Sequence, residues 1–509
     1  MKTARTWAVA LTGVDGHLVE IEADVSTQTP DFKIIGLPDK ALGEAAQRVH
    51  NACKNAGLEL PRQRLTVNLS PASLPKHGSG FDLGIAVAAV ATRGVLEAAS
   101  IARTVHIGEL GLDGRIRPVP GVLPAVFAAA RAGFARVFVP LANEAEARLV
   151  PGIEVHGAST LGEVARWHGA DVEVADVAPV PAVPVSDSSR DAPDLSDVVG
   201  QEEAVDALLA AAAGGHHLLL SGPPGAGKTM LAQRMPGILP ALDEEAALEV
   251  ASIRSLSGDS VTAIDTLPPL EAPHHSASVA ALVGGGSRAA RPGSIVRAHR
   301  GILFLDEAAE FSRVALDALR QPLESGRIEI HRSGFTASFP ARFQLVLATN
   351  PCPCGNHGVR GAECVCPPMA IRRYSSRLSG PLRDRIDIEL QVARVAAARA
   401  TSGERSARDS AVAREQVFRA RERSSHRWAQ TPWRLNAEVP GSWLRQGRFR
   451  LPIAARAPLD RALERGLLTL RGYDRVLRLA WTMADLAGND TPGRDEVGRA
   501  LFLKRGVAA

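Results

Sequence analysis

An apolar run, a Gly/Pro-rich loop and a Lys-Thr pair follow one another in HLLLSGPPGAGKT, residues 217–229. The eight residues Gly222, Pro223, Pro224, Gly225, Ala226, Gly227, Lys228 and Thr229 match G-x-x-x-x-G-K-[ST] throughout. The pattern demands a strand that feeds a loop and then a helix. Its glycines let backbone N–H groups turn toward phosphate oxygens, and the helix N-terminus adds partial positive charge. Lys228 is placed to reach the β- and γ-phosphates, and the Thr229 hydroxyl to ligate Mg²⁺. A glycine-rich turn without a ligand would leave Lys228 unexplained, because no other lysine lies between 76 and 504. Arginine supplies almost all the remaining positive charge, for which a GC-rich genome is the bland explanation.

A second segment, RGILFLDEAAEF (residues 300–311), reads as a buried parallel strand ending in Asp306 and Glu307. Open α/β sheets place their ligands at such strand ends. Asp306 would hold the Mg²⁺ shell and Glu307 would polarise the attacking water, since phosphoryl transfer needs positioning and charge neutralisation more than covalent help. A third strand, FQLVLATN, ends in Asn350. In ring ATPases an asparagine there senses the γ-phosphate; the plain alternative is an Asn-Pro turn.

At 509 residues the chain suggests two to four domains, and 45% hydrophobic with 22% charged residues is an ordinary globular balance. The net charge of +4 is too small to argue for nucleic acid by itself. No signal peptide or bilayer-spanning apolar run is apparent, so a reducing cytoplasm is expected and no membrane partner. Residues 1–168 alternate β-like runs (TWAVAL, LTVNLS, ARVFVP) with helical ones; residues 169–194, rich in Pro, Asp, Ser and Val, read as a linker. The nucleotide pattern occupies 195–395, and 396–509 is arginine-rich and helical.

Taken together, GPPGAGKT, RPGSIVRAHRGILFLDE, LESGRIEIHRSGFTASFPARFQLVLATNPCPCG and YSSRLSGPLRDRIDIEL resemble the AAA+ ATPases, and more closely the magnesium-chelatase-like ComM/YifB family. GLPDKALGEAAQRVHNA and RGYDRVLRLAWTMADLAG fit too, so the resemblance covers nearly the whole chain. It implies an α/β multidomain protein: a Lon-protease-like α+β domain, a central P-loop domain with a parallel sheet, and a C-terminal helical lid. In this family SGPLRDRIDI carries the arginine finger that enters a neighbour's ATP site; Arg385 matches, with Arg383 the alternative. A sensor arginine should open the lid helix, where Arg471 fits first and Arg475 second. HHSASVAALVGGGSRAARPGSIVRAHR resembles the helix-2 insert, and ESGRIEIHRSG the hairpin before the Asn350 strand, of the chelatase and MCM-helicase branch, where both project into the ring pore; this makes Arg327, His331, Arg332, Arg288, Arg291 and Arg297 candidate DNA-backbone contacts. Solvated surface is the plain alternative for each.

PKHGSGFDLGIAVAAV resembles the nucleophile turn of Lon-type proteases, but Asp82 stands where the serine belongs and Ser79 is out of register. No lysine lies between 77 and 227, so a Ser-Lys dyad would have to recruit Lys76 or an earlier lysine. A non-proteolytic scaffold or DNA-interaction module is expected.

NPCPCGNHGVRGAECVCPP holds four of the chain's five cysteines as two Cys-x-Cys pairs: Cys352 and Cys354, then Cys364 and Cys366. Four thiolates can close a tetrahedral structural Zn²⁺ site, with His357 a substitute ligand. Reduced thiols, a redox-sensitive disulfide pair and an iron–sulfur cluster are the alternatives. The loop joins the Asn350 strand to the arginine-finger segment, so a metal there would hold geometry between them. The expected whole is a hexameric ATP- and Mg²⁺-dependent ring motor on single-stranded or branched DNA. Arginine on the pore hairpins and RARERSSHRWAQTPWR favours DNA; a chelatase-type or protein-remodelling motor is the alternative, and Asp82 opposes an ATP-dependent protease.

Overall fold

The computed structural model describes residues 3–36, 44–174, 177, 193–285, 291–332, 335–359, 361–395 and 408–505. The side chains of residues 331, 332, 335 and 505 are outside the description.

The N-terminal sheet is built from β1 (Thr3–Thr12), β2 (Asp15–Ser26), β3 (Asp31–Ile35), β4 (Arg64–Ser70), β5 (Thr104–His106), β8 (Arg136–Pro140) and β9 (Glu154–Ala158). A small hairpin, β6 (Glu109–Leu110) with β7 (Ile116–Arg117), stands apart. The sheet runs β3-β4-β2-β1-β5-β8-β9 and is mixed: β1/β2 and β2/β4 are antiparallel, the other pairs parallel. Period-two alternation buries it on both sides. Ala4, Ala8 and Ala10 face one cluster with the helix Asp82–Ala91, while Trp7, Val9 and Leu11 face another. That second cluster contains Val122 and Val126 together with Leu248, Ala251 and Val261 from the nucleotide-binding region, so the two regions share a core. Gly121 N–H donates to the Ser255 carbonyl at 3.0 Å across the same junction.

The second sheet contains β10 (Leu218–Ser221), β11 (Leu270–Glu271), β14 (Ile302–Leu305), β17 (Gln344–Thr349) and β18 (Ile388–Gln391), ordered β11-β14-β17-β10-β18 and entirely parallel. Its strands are continuous apolar runs because both faces are covered. Leu218, Leu220, Phe304, Val346 and Ala348 point to the helices Glu202–Gly214 and Lys228–Ile238 and the C-terminal lid; Leu219, Leu303, Leu305, Leu345 and Leu347 point to the opposite layer. That layer holds β12 (Gly284–Gly285) paired with β13 (Arg291–Pro292), and the hairpin β15 (Arg327–Arg332) with β16 (Phe335–Pro340). Gly13, at the turn between β1 and β2, sits on this hairpin: a Cβ there would be 2.1 Å from the Ser338 carbonyl oxygen.

The C-terminal region is helical, with Ser410–Arg427, Leu470–Ala487 and Arg494–Arg505 packed on the first face. No helix among the described residues is long and apolar enough to cross a membrane.

Candidate active site

The strand order breaks at β10, and its C-terminal end opens into the phosphate-binding pattern, as expected where ligands bind open α/β sheets. Gly225 and Gly227 take positive φ of 77° and 86°, values a side chain would strain, and Gly227 delivers the chain into the helix Lys228–Ile238. Lys228 is buried and donates to the Gly222 and Pro223 carbonyls at 2.7 and 3.0 Å and to Asn350 Oδ1 at 3.2 Å. Burial pulls its pKa down, opposed by the charges of Asp306 and Glu307.

The Thr229 hydroxyl donates to Asp306 Oδ2 at 2.6 Å, so two oxygens suited to one magnesium ion converge at the start of the helix and the end of β14. Asp306 Oδ1 accepts from the Glu307 N–H at 2.8 Å. Glu307 itself occupies the left-handed region, φ 49° and ψ 44°, where a non-glycine residue costs roughly 1–3 kcal/mol. Its carboxylate lies 3.1 Å from His275 Nδ1. The structure thus brings together the phosphate loop, Thr229, Asp306, Glu307 and Asn350. A metal ion at Thr229 and Asp306 would face a cation and two polar strand ends, the parts that phosphoryl transfer needs.

The arginines are arranged differently. Arg385 donates to the Pro381 carbonyl at 2.6 Å and pairs with Glu324. Arg383 pairs with Glu389 at 2.6 Å. Arg475, the second sensor candidate, makes a 2.6 Å bond to buried Asp387, which also accepts from the His217 N–H. Arg471 is exposed in the first turn of the lid helix Leu470–Ala487. No single chain brings Arg385 or Arg471 to the phosphate loop by a hydrogen bond or ion pair among the described residues.

In the arginine-rich segment expected to favour DNA, Arg419 and Arg434 are exposed, whereas Arg421, Arg423 and Arg427 turn inward. Arg421 donates to the Ala212 carbonyl, Arg423 to the Asp485 carbonyl and Arg427 to the Asp485 carboxylate, and just before the segment Arg414 donates to the Gly237 carbonyl. Trp428 is fully buried. These residues cap helix ends and tie the lid to the core. Of the pore candidates, Arg327 and Arg291 are exposed, whereas Arg297 is tied to Glu271 at 3.0 Å and to Ser294. Arg288 lies outside the described residues, as do the side chains of His331 and Arg332.

The four cysteines converge. Their sulfurs all lie within 4.8 Å of one another, and Cys352 stands 3.4 Å from Cys354 and 3.8 Å from Cys364, with Cys354 3.7 Å from Cys364. Four sulfurs about 2.3 Å from one zinc in a tetrahedron stand about 3.8 Å apart, so the residues fit that ion. All are free thiols. His357 contributes its backbone N–H to Cys352 Sγ at 3.3 Å, and its ring is outside the cluster.

In the N-terminal region Asp82 is fully buried against Arg48, whose Nε and Nη2 donate at 2.7 and 3.0 Å. Burial raises the Asp82 pKa to about 6 despite that partner. Ser79 bonds Glu109, and Lys76 donates to the Leu74 carbonyl at 3.0 Å, so no Ser-Lys pair forms among the described residues.

Two residues escaped the motif-based reading although their segment was quoted for its resemblance. Tyr374, one of two tyrosines in the chain, is buried on the helix Pro368–Ser375, its ring centroid 5.9 Å from Arg377 Cζ. Arg377 donates to the Ala309 carbonyl and to Glu310 Oε2, both at 2.8 Å.

Three family models match consecutive stretches: "Subunit ChlI of Mg-chelatase" over residues 21–143, "Magnesium chelatase, subunit ChlI" over 194–400, and "Magnesium chelatase, subunit ChlI C-terminal" over 407–504. The chain is 50% identical over 512 residues to an uncharacterised protein of Mycobacterium tuberculosis, covering 99% of both. It is 39% identical to competence protein ComM of Haemophilus influenzae, covering 98% of this chain and 97% of that protein. Protein YifB of Escherichia coli is also 39% identical, over 97% of this chain and 96% of that one.

Proposed function

The chain belongs to the magnesium-chelatase-like ComM/YifB family, and on that premise we propose that it is an ATP-hydrolysing AAA+ ring motor acting on DNA, of helicase or branch-migration type, in recombination or DNA uptake. The observation that carries the ATPase part is the 2.6 Å contact of Thr229 with Asp306 beside a lysine that also reaches Asn350. In this reading the N–H groups of residues 222–229 cradle the phosphates, and Lys228 leaves its loop carbonyls for the β- and γ-oxygens. Thr229 and Asp306 hold Mg²⁺, which when bound neutralises developing phosphate charge. Glu307 takes a hydrogen bond from the attacking water, and Asn350 fixes its direction. Arg385 exchanges Glu324 for a neighbour's γ-phosphate, and Arg471 closes from the lid; a hexamer gives each site its finger. Cys352, Cys354, Cys364 and Cys366 hold a structural zinc, and the N-terminal region is a Lon-like scaffold without a dyad.

DNA enters because one relative is named a competence protein and because Arg327 and Arg291 are exposed on the insert layer. The internal use of Arg297, Arg414, Arg421 and Arg427 favours the alternative, a chelatase-like or protein-remodelling ATPase without a direct DNA role. ATP turnover measured with and without single-stranded and branched DNA, across a salt series, separates them. Stimulation that fades as salt rises is expected. Absence of both stimulation and salt-sensitive binding would leave the alternative.

A further inference from the structure

The left-handed conformation of Glu307 needs support, because an unsupported non-glycine residue would relax out of it. The support comes from the turn that follows. The Glu310 N–H donates to the Glu307 carbonyl at 2.7 Å, closing a turn over Ala308–Glu310. Arg377 grips that turn from outside, with one guanidinium nitrogen on the Ala309 carbonyl and on the Glu310 carboxylate, each at 2.8 Å. As an ion pair, Arg377 with Glu310 would contribute little, since the two side chains are 45% and 41% exposed. Its bond to a backbone carbonyl two residues from Glu307 is what fixes position. The Tyr374 ring lies beside the guanidinium, 5.9 Å from centroid to Cζ.

We infer that Arg377 is a positioning residue for ATP hydrolysis, holding Glu307 in place while touching no nucleotide. This rests on the ATPase function proposed above. Arg377 follows a helix that begins two residues beyond Cys366, so the four-thiol loop also sets its placement.

The test uses the purified full-length chain. Arg377→Ala removes the guanidinium and Arg377→Lys keeps the charge. Steady-state ATP hydrolysis, binding of a fluorescent ATP analogue and thermal melting are measured for each. A kcat about tenfold lower is expected for Arg377→Ala, with KM and analogue affinity within twofold of wild type, melting unchanged, and Arg377→Lys recovering part of kcat. Wild-type turnover with the kcat of Arg377→Ala within twofold of it would overturn this inference and leave the ATPase function standing. A loss that tracks a lowered melting point, with no recovery in Arg377→Lys, would overturn it as a merely structural role. A wild-type chain without turnover would overturn the ATPase function and this inference with it.

Discussion

Gly355 of the four-cysteine loop rests on Pro224 of the phosphate-binding loop: a methyl group built on Gly355 would lie 2.4 Å from the proline Cδ and 2.8 Å from Cγ. The two motifs, far apart in sequence, are one surface. Arg394 adds to it by donating to the Pro224 carbonyl at 3.2 Å. Gly355 also has φ of 80°, so a side chain there is strained as well as crowded. Gly355→Ala is expected to push on the phosphate loop and weaken ATP-analogue binding about tenfold, which corresponds to about 1.4 kcal/mol. Fluorescent-nucleotide titration checks it, and unchanged affinity would show that the loops move independently.

Replacing Cys352 and Cys354 by serine removes two of four sulfurs that all lie within 4.8 Å of one another. Structural metal binding free energy is folding free energy. Elemental analysis is expected to give about one zinc per wild-type chain and almost none in the double variant, whose melting point should fall and whose ATP turnover should drop. Less than half an equivalent in the wild type would rule out the zinc site.

Acid should loosen the N-terminal region first. His106 and His168 are fully buried with their Nε2 atoms 2.9 Å apart, and Thr6 and Ser100 bond the outer nitrogens at 2.8 and 2.9 Å. Burial, then the nearby His156 and Arg136, push His168 down to about 4; burial and His168 push His106 well down. Between pH 4 and the ordinary value near 6.5 the unfolded chain therefore binds more protons, and stability rises with pH. The contribution is complete above about pH 6.5 and is lost as pH falls through 4, worth about 3 kcal/mol for His168. Urea unfolding of wild type and His168→Gln at pH 7.5, 5.5 and 4.5 should show a steeper acid loss in the wild type; parallel losses would contradict it.

The phosphate loop, the Asp306–Glu307 strand end and the Asn350 strand were legible because each is a local pattern: an apolar run followed by a polar or glycine signal. The parallel sheet follows from those runs, being buried on both faces. The fate of the arginines was not legible. A guanidinium at 421 or 427 looks like a DNA contact in sequence, and only packing shows it capping Ala212 or neutralising buried Asp485. Arg475 likewise has the right spacing for a sensor, but its partner Asp387 lies 88 residues away. Arg377 and His275 were missed for the same reason, since their partners Glu310 and Glu307 come from another strand end. Sequence shows what a residue can donate; the tertiary fold decides what receives it.

The most direct test of the ATP site is turnover by purified wild-type protein against Lys228→Ala under saturating ATP and Mg²⁺. Among the described residues Lys228 is the one cation that bonds both the phosphate loop and Asn350, and removing a charge that faces developing phosphate charge costs about 3 kcal/mol or more, roughly a hundredfold in rate. Wild-type turnover with at least a hundredfold loss in Lys228→Ala, at unchanged circular dichroism, is the expected result. Equal turnover in the two proteins, or none in the wild type, would contradict it.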